Sequence, residues 1–226
     1  MNPSTSSISS GHSGSSDTLG LGSHAKESKY AGIPESEVWK DFKNGSEEAF
    51  VYIYELYFST LFNYAHRFSQ NREAVKDHIQ DMFIDLRRTK KRLSDTDSIK
   101  FYLFSSIRRR ILKAESKNLF FLNTEDYQNY DFEITISPEQ MLINSQMDEK
   151  LKSQLIENIS KLSGRQKEAI MHYYYEGFSY EQVSKLMGFS KVKYARILVY
   201  RALKKLKESF QSTEFLGLFL ASICYF

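Results

Sequence analysis

The chain has 226 residues, 41% hydrophobic and 26% charged, with a formal net charge of +3 at pH 7. Ten glycines, three prolines and the single cysteine Cys224 argue against an all-β or collagen-like chain and exclude an internal disulfide framework or a cysteine-rich zinc site. A lone thiol fits a reducing, cytoplasmic location, and no basic stretch followed by an apolar one opens the sequence, which reads against secretion.

Residues 1–28 are dominated by Ser and Gly, hold no aromatic side chain, and read as a disordered tail. From Glu47 the texture turns helical. Phe50, Ile53, Tyr54, Tyr57, Leu61, Tyr64, Ala65 and Phe68 recur at three- and four-residue steps, which predicts one broad apolar helical face. Asn71-Arg72-Glu73 interrupts it, and a second stripe follows through Val75, Ile79, Met82, Phe83 and Leu86. The polar turn from Asp95 to Ser98 predicts the cap of a third helix, with Ile99, Leu103, Ile107, Ile111 and Ala114 on its inner face. Residues 30–117 are therefore expected to form one helical domain.

Residues 118–148 contain no basic residue and carry a net charge of −6, between helical blocks 47–117 at +4 and 149–210 at +7. The short apolar run Phe132 to Ile136 has no partner strand elsewhere, so an acidic linker is expected. Periodicity resumes with Leu151, Leu155, Ile159 and Leu162, and short helices are predicted to residue 210. Residues 211–226 form an apolar tail too short to cross a bilayer as one helix. The expected fold class is all-α, two small helical domains joined by a flexible linker.

Signatures of catalysis are missing. The five histidines form no i, i+4 pair with a glutamate between them, and there is no phosphate-binding Gly loop or Gly-x-Ser-x-Gly elbow. Asp77, Asp81 and Asp85 line one helical face without further oxygen ligands, which fits a solvated or protein-binding face rather than a metal site. No enzymatic activity, metal, cofactor or small-molecule substrate is expected.

The second domain carries the strongest signal. A helix beginning at Ser163-Gly164-Arg165 is predicted to end near Glu176-Gly177. Ser179 then caps a helix through Val183 and Leu186, Gly188 turns the chain, and a longer helix runs from about Ser190 to Ser209. Helix, Gly-containing turn, helix is the arrangement that places its second helix in the DNA major groove. Lys191, Lys193 and Arg196 fall at the start of that helix, where cations oppose the helix dipole unless an anion such as DNA phosphate neutralises them.

The run Glu176 to Leu206, with Glu-Gly-Phe-Ser-Tyr-Glu-Gln-Val, Met-Gly-Phe-Ser-Lys-Val-Lys-Tyr-Ala-Arg and Tyr-Arg-Ala-Leu-Lys-Lys-Leu, resembles region four of bacterial sigma factors. The resemblance is to the extracytoplasmic-function type of the sigma-70 family, in versions common in Bacteroidetes-like bacteria. Upstream, Glu48-Ala49-Phe50 through Tyr57 and then Asp77 to Phe83 resemble region two and its core-binding motif. Phe101 to Arg110 resembles the segment that opens and reads the promoter minus-ten element.

The resemblance implies roles for particular residues. Asp77, Gln80 and Asp81 would dock on the clamp helices of the largest subunit of core RNA polymerase, whose flap is the expected partner of region four. Arg87, Arg88, Phe101, Tyr102, Arg108, Arg109, Arg110 and Lys113 would hold and melt minus-ten DNA, and Lys191, Lys193, Tyr194, Arg196, Tyr200 and Arg201 would meet the minus-thirty-five element. An anti-sigma factor is a further partner the resemblance allows, and the acidic linker would thread toward the RNA exit path. The chain departs from the family pattern at Leu86-Arg87, at Arg108-Arg109 and at Lys193-Tyr194-Ala195. The alternative reading is a stand-alone helix-turn-helix transcriptional regulator, which would bind a palindromic site without polymerase.

Overall fold

Helix α1 spans Glu35–Lys43, a short helix that the stripe pattern did not foretell. Its acids Glu35 and Glu37 open the first turn and Lys40 and Lys43 close the last, as the helix dipole favours. It contributes only three buried residues, Val38, Trp39 and Phe42. The computed structural model describes residues 28–118, 130–134 and 149–209. The N-terminal Ser/Gly stretch up to residue 27, most of the linker, and the apolar tail with Cys224 lie outside the described residues.

Helix α2, Glu47–Ala65, starts where the Ser46 hydroxyl accepts the Ala49 N–H. Helix α3, Arg72–Thr89, is capped by Asn71, which accepts from the Ala74 N–H. A 3-10 turn, Lys90–Arg92, leads to α4, Ile99–Asn118. Helices α2, α3 and α4 pack on one another, with α1 across α2 and α4. The predicted stripes form this core: Ile53, Leu61, Tyr64, Val75, Ile79, Leu103, Ile107 and Ile111 are almost fully buried. Each such side chain stabilises the domain by roughly 1.5–3 kcal/mol.

The turn before α4 is capped from two directions. Ser98 accepts the Phe101 N–H, as the polar turn predicted, while Glu35 of α1 reaches across to accept the Ile99 N–H. Trp39 donates to the Ser94 carbonyl at 2.9 Å, fixing α1 to the same turn.

Residues 130–134 form no strand. Phe132 is instead buried against Tyr64 and Phe68, and the Glu133 N–H donates to the Arg67 carbonyl. The apolar character of this run is thus used as a plug in the first helical core.

The second half comprises α5 (Glu149–Ser160), α6 (Gly164–Ile170), a π-helical turn (Met171–Tyr175), α7 (Tyr180–Leu186) and α8 (Val192–Ser209). Ser163 and Ser179 each exchange hydrogen bonds with the Gln three residues on, so α6 and α7 both begin with a capping box. Gly164 is required by a close approach: a Cβ there would lie 2.1 Å from the Tyr130 carbonyl oxygen. The long helix starts two residues later than predicted and packs along α6 and α7 through Ala195, Val199, Ala202 and Leu206. Among the described residues no helix is long and apolar enough to cross a membrane.

Candidate nucleic-acid and polymerase interface

Helices α7 and α8 meet at Gly188, whose φ of +72° is open to glycine at little cost. That turn leaves one side of α8 facing outward. Lys191, Lys193, Tyr194, Arg196, Tyr200 and Arg201 are all exposed, Tyr200 at 65%. Ile197 lies among them at 41% exposure, an apolar member that the charge pattern did not single out. Lys193 sits over the Tyr194 ring and Arg196 over the Tyr180 ring, so cations and aromatic faces alternate along the surface. Among the described residues no carboxylate pairs with Lys191, Lys193, Arg196 or Arg201, which leaves their charge available to an external anion.

A second surface lies on α3. Asp77, Gln80 and Asp81 are exposed on one side, beside Ile84 at 62% exposure. Their helix is held by the opposite face, where Val75, Ile79, Met82, Phe83 and Leu86 are buried. Asp81 lies 3.6 Å from the Arg110 guanidinium, which also pairs with Asp85, so this acidic face and α4 are joined by one arginine. The described residues contain no group of acids, histidines and cysteines that could hold a metal ion.

The residues expected at the minus-ten element are split by burial. Arg87, Arg88, Arg109 and Lys113 are exposed; Arg87 pairs with Glu47, Arg88 with Asp85, and Arg109 donates to the Ser105 carbonyl. Phe101 and Tyr102 are half-buried, Phe101 edge-on to Phe178 and Tyr102 against Trp39. Arg108 is different. Only 8% exposed, it points into the molecule and forms a two-pronged ion pair with Glu168 of α6.

Glu168 is the centre of a buried cluster that pattern reading missed. Its Oε1 accepts from Arg108 Nε at 2.7 Å and from the Tyr64 hydroxyl at 2.8 Å, with His172 Nε2 3.1 Å away. Its Oε2 accepts from Arg108 Nη2 at 3.1 Å and from the Tyr130 hydroxyl. Burial alone would raise the carboxyl, but Arg108 and His172 overcome it and hold Glu168 well below the usual carboxylate range. Burial, and then Glu168, push the Tyr64 and Tyr130 hydroxyls up, so both remain donors. The only sequence hint was a Glu and a His four residues apart, Glu168 late in α6 and His172 in the π-helical turn after it, with the apolar Ala169 and Ile170 between them.

Comparison with known families decides what these surfaces belong to. Residues 53–118, covering most of α2 with α3 and α4, match the model for sigma-70 region 2, and residues 152–206, covering most of α5 to α8, match that for sigma-70 region 4. The chain belongs to the sigma-70 family. It is 24% identical over 159 residues to RNA polymerase sigma factor YlaC of Bacillus subtilis (strain 168), a match covering 70% of this chain and 89% of that one. Its fold is similar to CnrH, solved in complex with the cytosolic domain of CnrY, with a TM-score of 0.51, 16% identity, and coverage of 77% of this chain and 96% of that chain. In this sigma factor α1 and the 130–134 segment lie outside both matched regions. They nevertheless supply Glu35, Trp39 and Tyr130 to contacts with α4, and Phe132 to a contact with Tyr64 of α2.

Proposed function

We propose that this sigma factor, of the extracytoplasmic-function type, binds core RNA polymerase and directs it to a two-element promoter, melts the downstream element, and catalyses nothing itself. The observation that carries this reading is the pairing, in one chain and in the right order, of an exposed acidic α3 surface with an exposed cation-aromatic α8 surface. On this reading Asp77, Gln80 and Asp81 accept hydrogen bonds and charge from the clamp helices of the largest polymerase subunit. Lys191, Lys193, Tyr194, Arg196, Tyr200 and Arg201 enter the major groove of the upstream element, with the lysines and arginines displacing counterions from its phosphates.

Region two then acts on the downstream element. Arg87, Arg88, Arg109, Arg110 and Lys113 supply cations for the phosphates, and Phe101 and Tyr102 supply ring faces on which unstacked bases rest. The work is done in the cytoplasm, where polymerase and promoter are. CnrH was solved in complex with the cytosolic domain of CnrY; by extension, a protein of the anti-sigma kind is a partner here. The acidic linker, residues 118–148 at −6, would lie along the basic RNA exit path.

The test is reconstitution. The full chain added to sigma-free core polymerase should select and initiate from a defined class of promoters in a random-sequence library. Tight binding to a palindrome without polymerase, and no initiation, would favour a self-sufficient regulator instead.

A further inference from the structure

Helix α8 bears one cation whose direction is set from outside the helix. The guanidinium carbon of Arg196 lies 5.4 Å from the centre of the Tyr180 ring, at the start of α7. Tyr180 is in turn stacked on Tyr173, with ring centres 4.2 Å apart and planes inclined by 19°, and Tyr173 meets Tyr174 edge-on at 4.8 Å. Tyr173 and Tyr180 are both half-buried. Their backbone is fixed as well. The Ser179 capping box precedes Tyr180, and Tyr173 lies in the π-helical turn, a winding found mostly at functional sites. Burial, and then the Tyr173 hydroxyl, push the Tyr180 hydroxyl up to about 12, so the ring stays neutral.

We propose that Tyr180, braced by Tyr173, is a positioning residue that holds the Arg196 guanidinium in place to read a guanine in the upstream promoter element. The proposal rests on the sigma-factor reading above. Three observations carry it. Arg196 lies in the first turns of α8, the part of such a helix whose side chains reach base edges. Its contact with Tyr180 consumes no N–H: among the described residues Arg196 donates no hydrogen bond and pairs with no carboxylate, so its whole fork of donors is available. Guanine presents O6 and N7 to the major groove, two acceptors that match that fork. The neighbouring pair supplies the contrast. Lys193 also lies over a ring, but that ring, Tyr194, is itself 42% exposed, and an ammonium is a point charge without a fork. An arginine already held against a braced ring gives up less rotamer freedom on meeting its base, and a fixed fork is what separates reading a base from neutralising a phosphate.

The experiment uses the full chain assembled with core polymerase and a promoter library randomised through the upstream element. Arg196→Ala should erase a guanine preference at one position and lower the salt slope by about one. Tyr180→Leu should cut the same preference at the same position by about threefold or more, with the salt slope of wild type because every charge is kept. Tyr180→Phe keeps the ring and should keep the preference, and Tyr173→Leu, which removes the brace, should reproduce part of the loss. In the free chain, nuclear magnetic relaxation of the Arg196 Nε–H should show a restricted side chain that Tyr180→Leu releases. Arg196→Ala that alters no base preference would overturn the proposal. So would Tyr180→Leu that keeps the full guanine preference or weakens all sequences equally, Tyr180→Phe as deficient as Tyr180→Leu, or an Arg196 Nε–H equally mobile in wild type and Tyr180→Leu. If Tyr180→Leu loses helical circular dichroism, Tyr173→Leu decides by the same criteria. Wild-type chain that fails to assemble with polymerase would refute the sigma-factor reading, whereas the relaxation measurement would still decide whether the ring holds Arg196.

Discussion

Arg108 of α4 and Glu168 of α6 meet through two parallel hydrogen bonds, Nε to Oε1 at 2.7 Å and Nη2 to Oε2 at 3.1 Å, with both side chains buried. This pair joins the two modules of the chain. Its consequences for stability, pH response and binding can each be measured.

Removing one partner strands the other. Glu168→Met should lower stability by about 3–5 kcal/mol in urea unfolding, because Arg108 is left buried and charged without its carboxylate. Arg108→Met together with Glu168→Met should recover most of that loss, since no buried charge remains. A double variant as unstable as the sum of the singles would show that the two side chains act independently.

The depressed Glu168 carboxyl fixes the sign of a pH effect. Its unfolded-state value is near 4.5 and its folded value lies well below, so its stabilisation is fully present above about pH 5 and declines as pH falls through the acid range. The urea midpoint should therefore fall between pH 6 and pH 3.5, and Glu168→Gln should flatten part of that fall. An identical acid profile in the two proteins would contradict the assignment.

On α8, exposed charge should translate into salt dependence. Lys193→Glu and Arg196→Glu together should weaken binding to upstream promoter DNA and reduce the slope of log affinity against log salt by about two. Folding should be untouched, because both side chains are exposed. An unchanged slope would place the DNA on another face.

The α3 surface is testable in the same way. Replacing Asp77, Gln80 and Asp81 by Ala removes no buried atom, so the melting temperature should move little. Association with core polymerase should fall by at least about tenfold, the loss of roughly 1.4 kcal/mol of charged contacts. Full affinity in the triple variant would exclude this helix as the docking surface.

Periodicity made much of the fold legible. The stripes through Ile53, Ile79 and Ile107 became the first core, and the Ser179 cap with the Gly188 turn marked the helix-turn-helix. Helix α1 escaped because Val38, Trp39 and Phe42 are too few to set a period, and its value lies in two distant bonds, Trp39 to Ser94 and Glu35 to Ile99. Phe132 read as part of a linker because a single buried ring in an extended segment has no periodic signature.

Arg108 is the instructive case. It stands in a run of three arginines, and nothing in that run separates Arg109, which is exposed, from Arg108, whose partner lies sixty residues on. Burial of a polar side chain is decided by which module folds over it, and local sequence does not record that. The exposed surfaces on α3 and α8 were legible for the opposite reason: their charges meet solvent and follow the helical period directly.

Photo-crosslinking inside an assembled initiation complex tests the account most directly. With a photoreactive residue at Tyr194 on α8 or at Tyr102 on α4, the account predicts crosslinks to duplex near the upstream element from the first and to separated strands near the start site from the second. Crosslinks from both positions to the same short stretch of DNA, or to none, would contradict it.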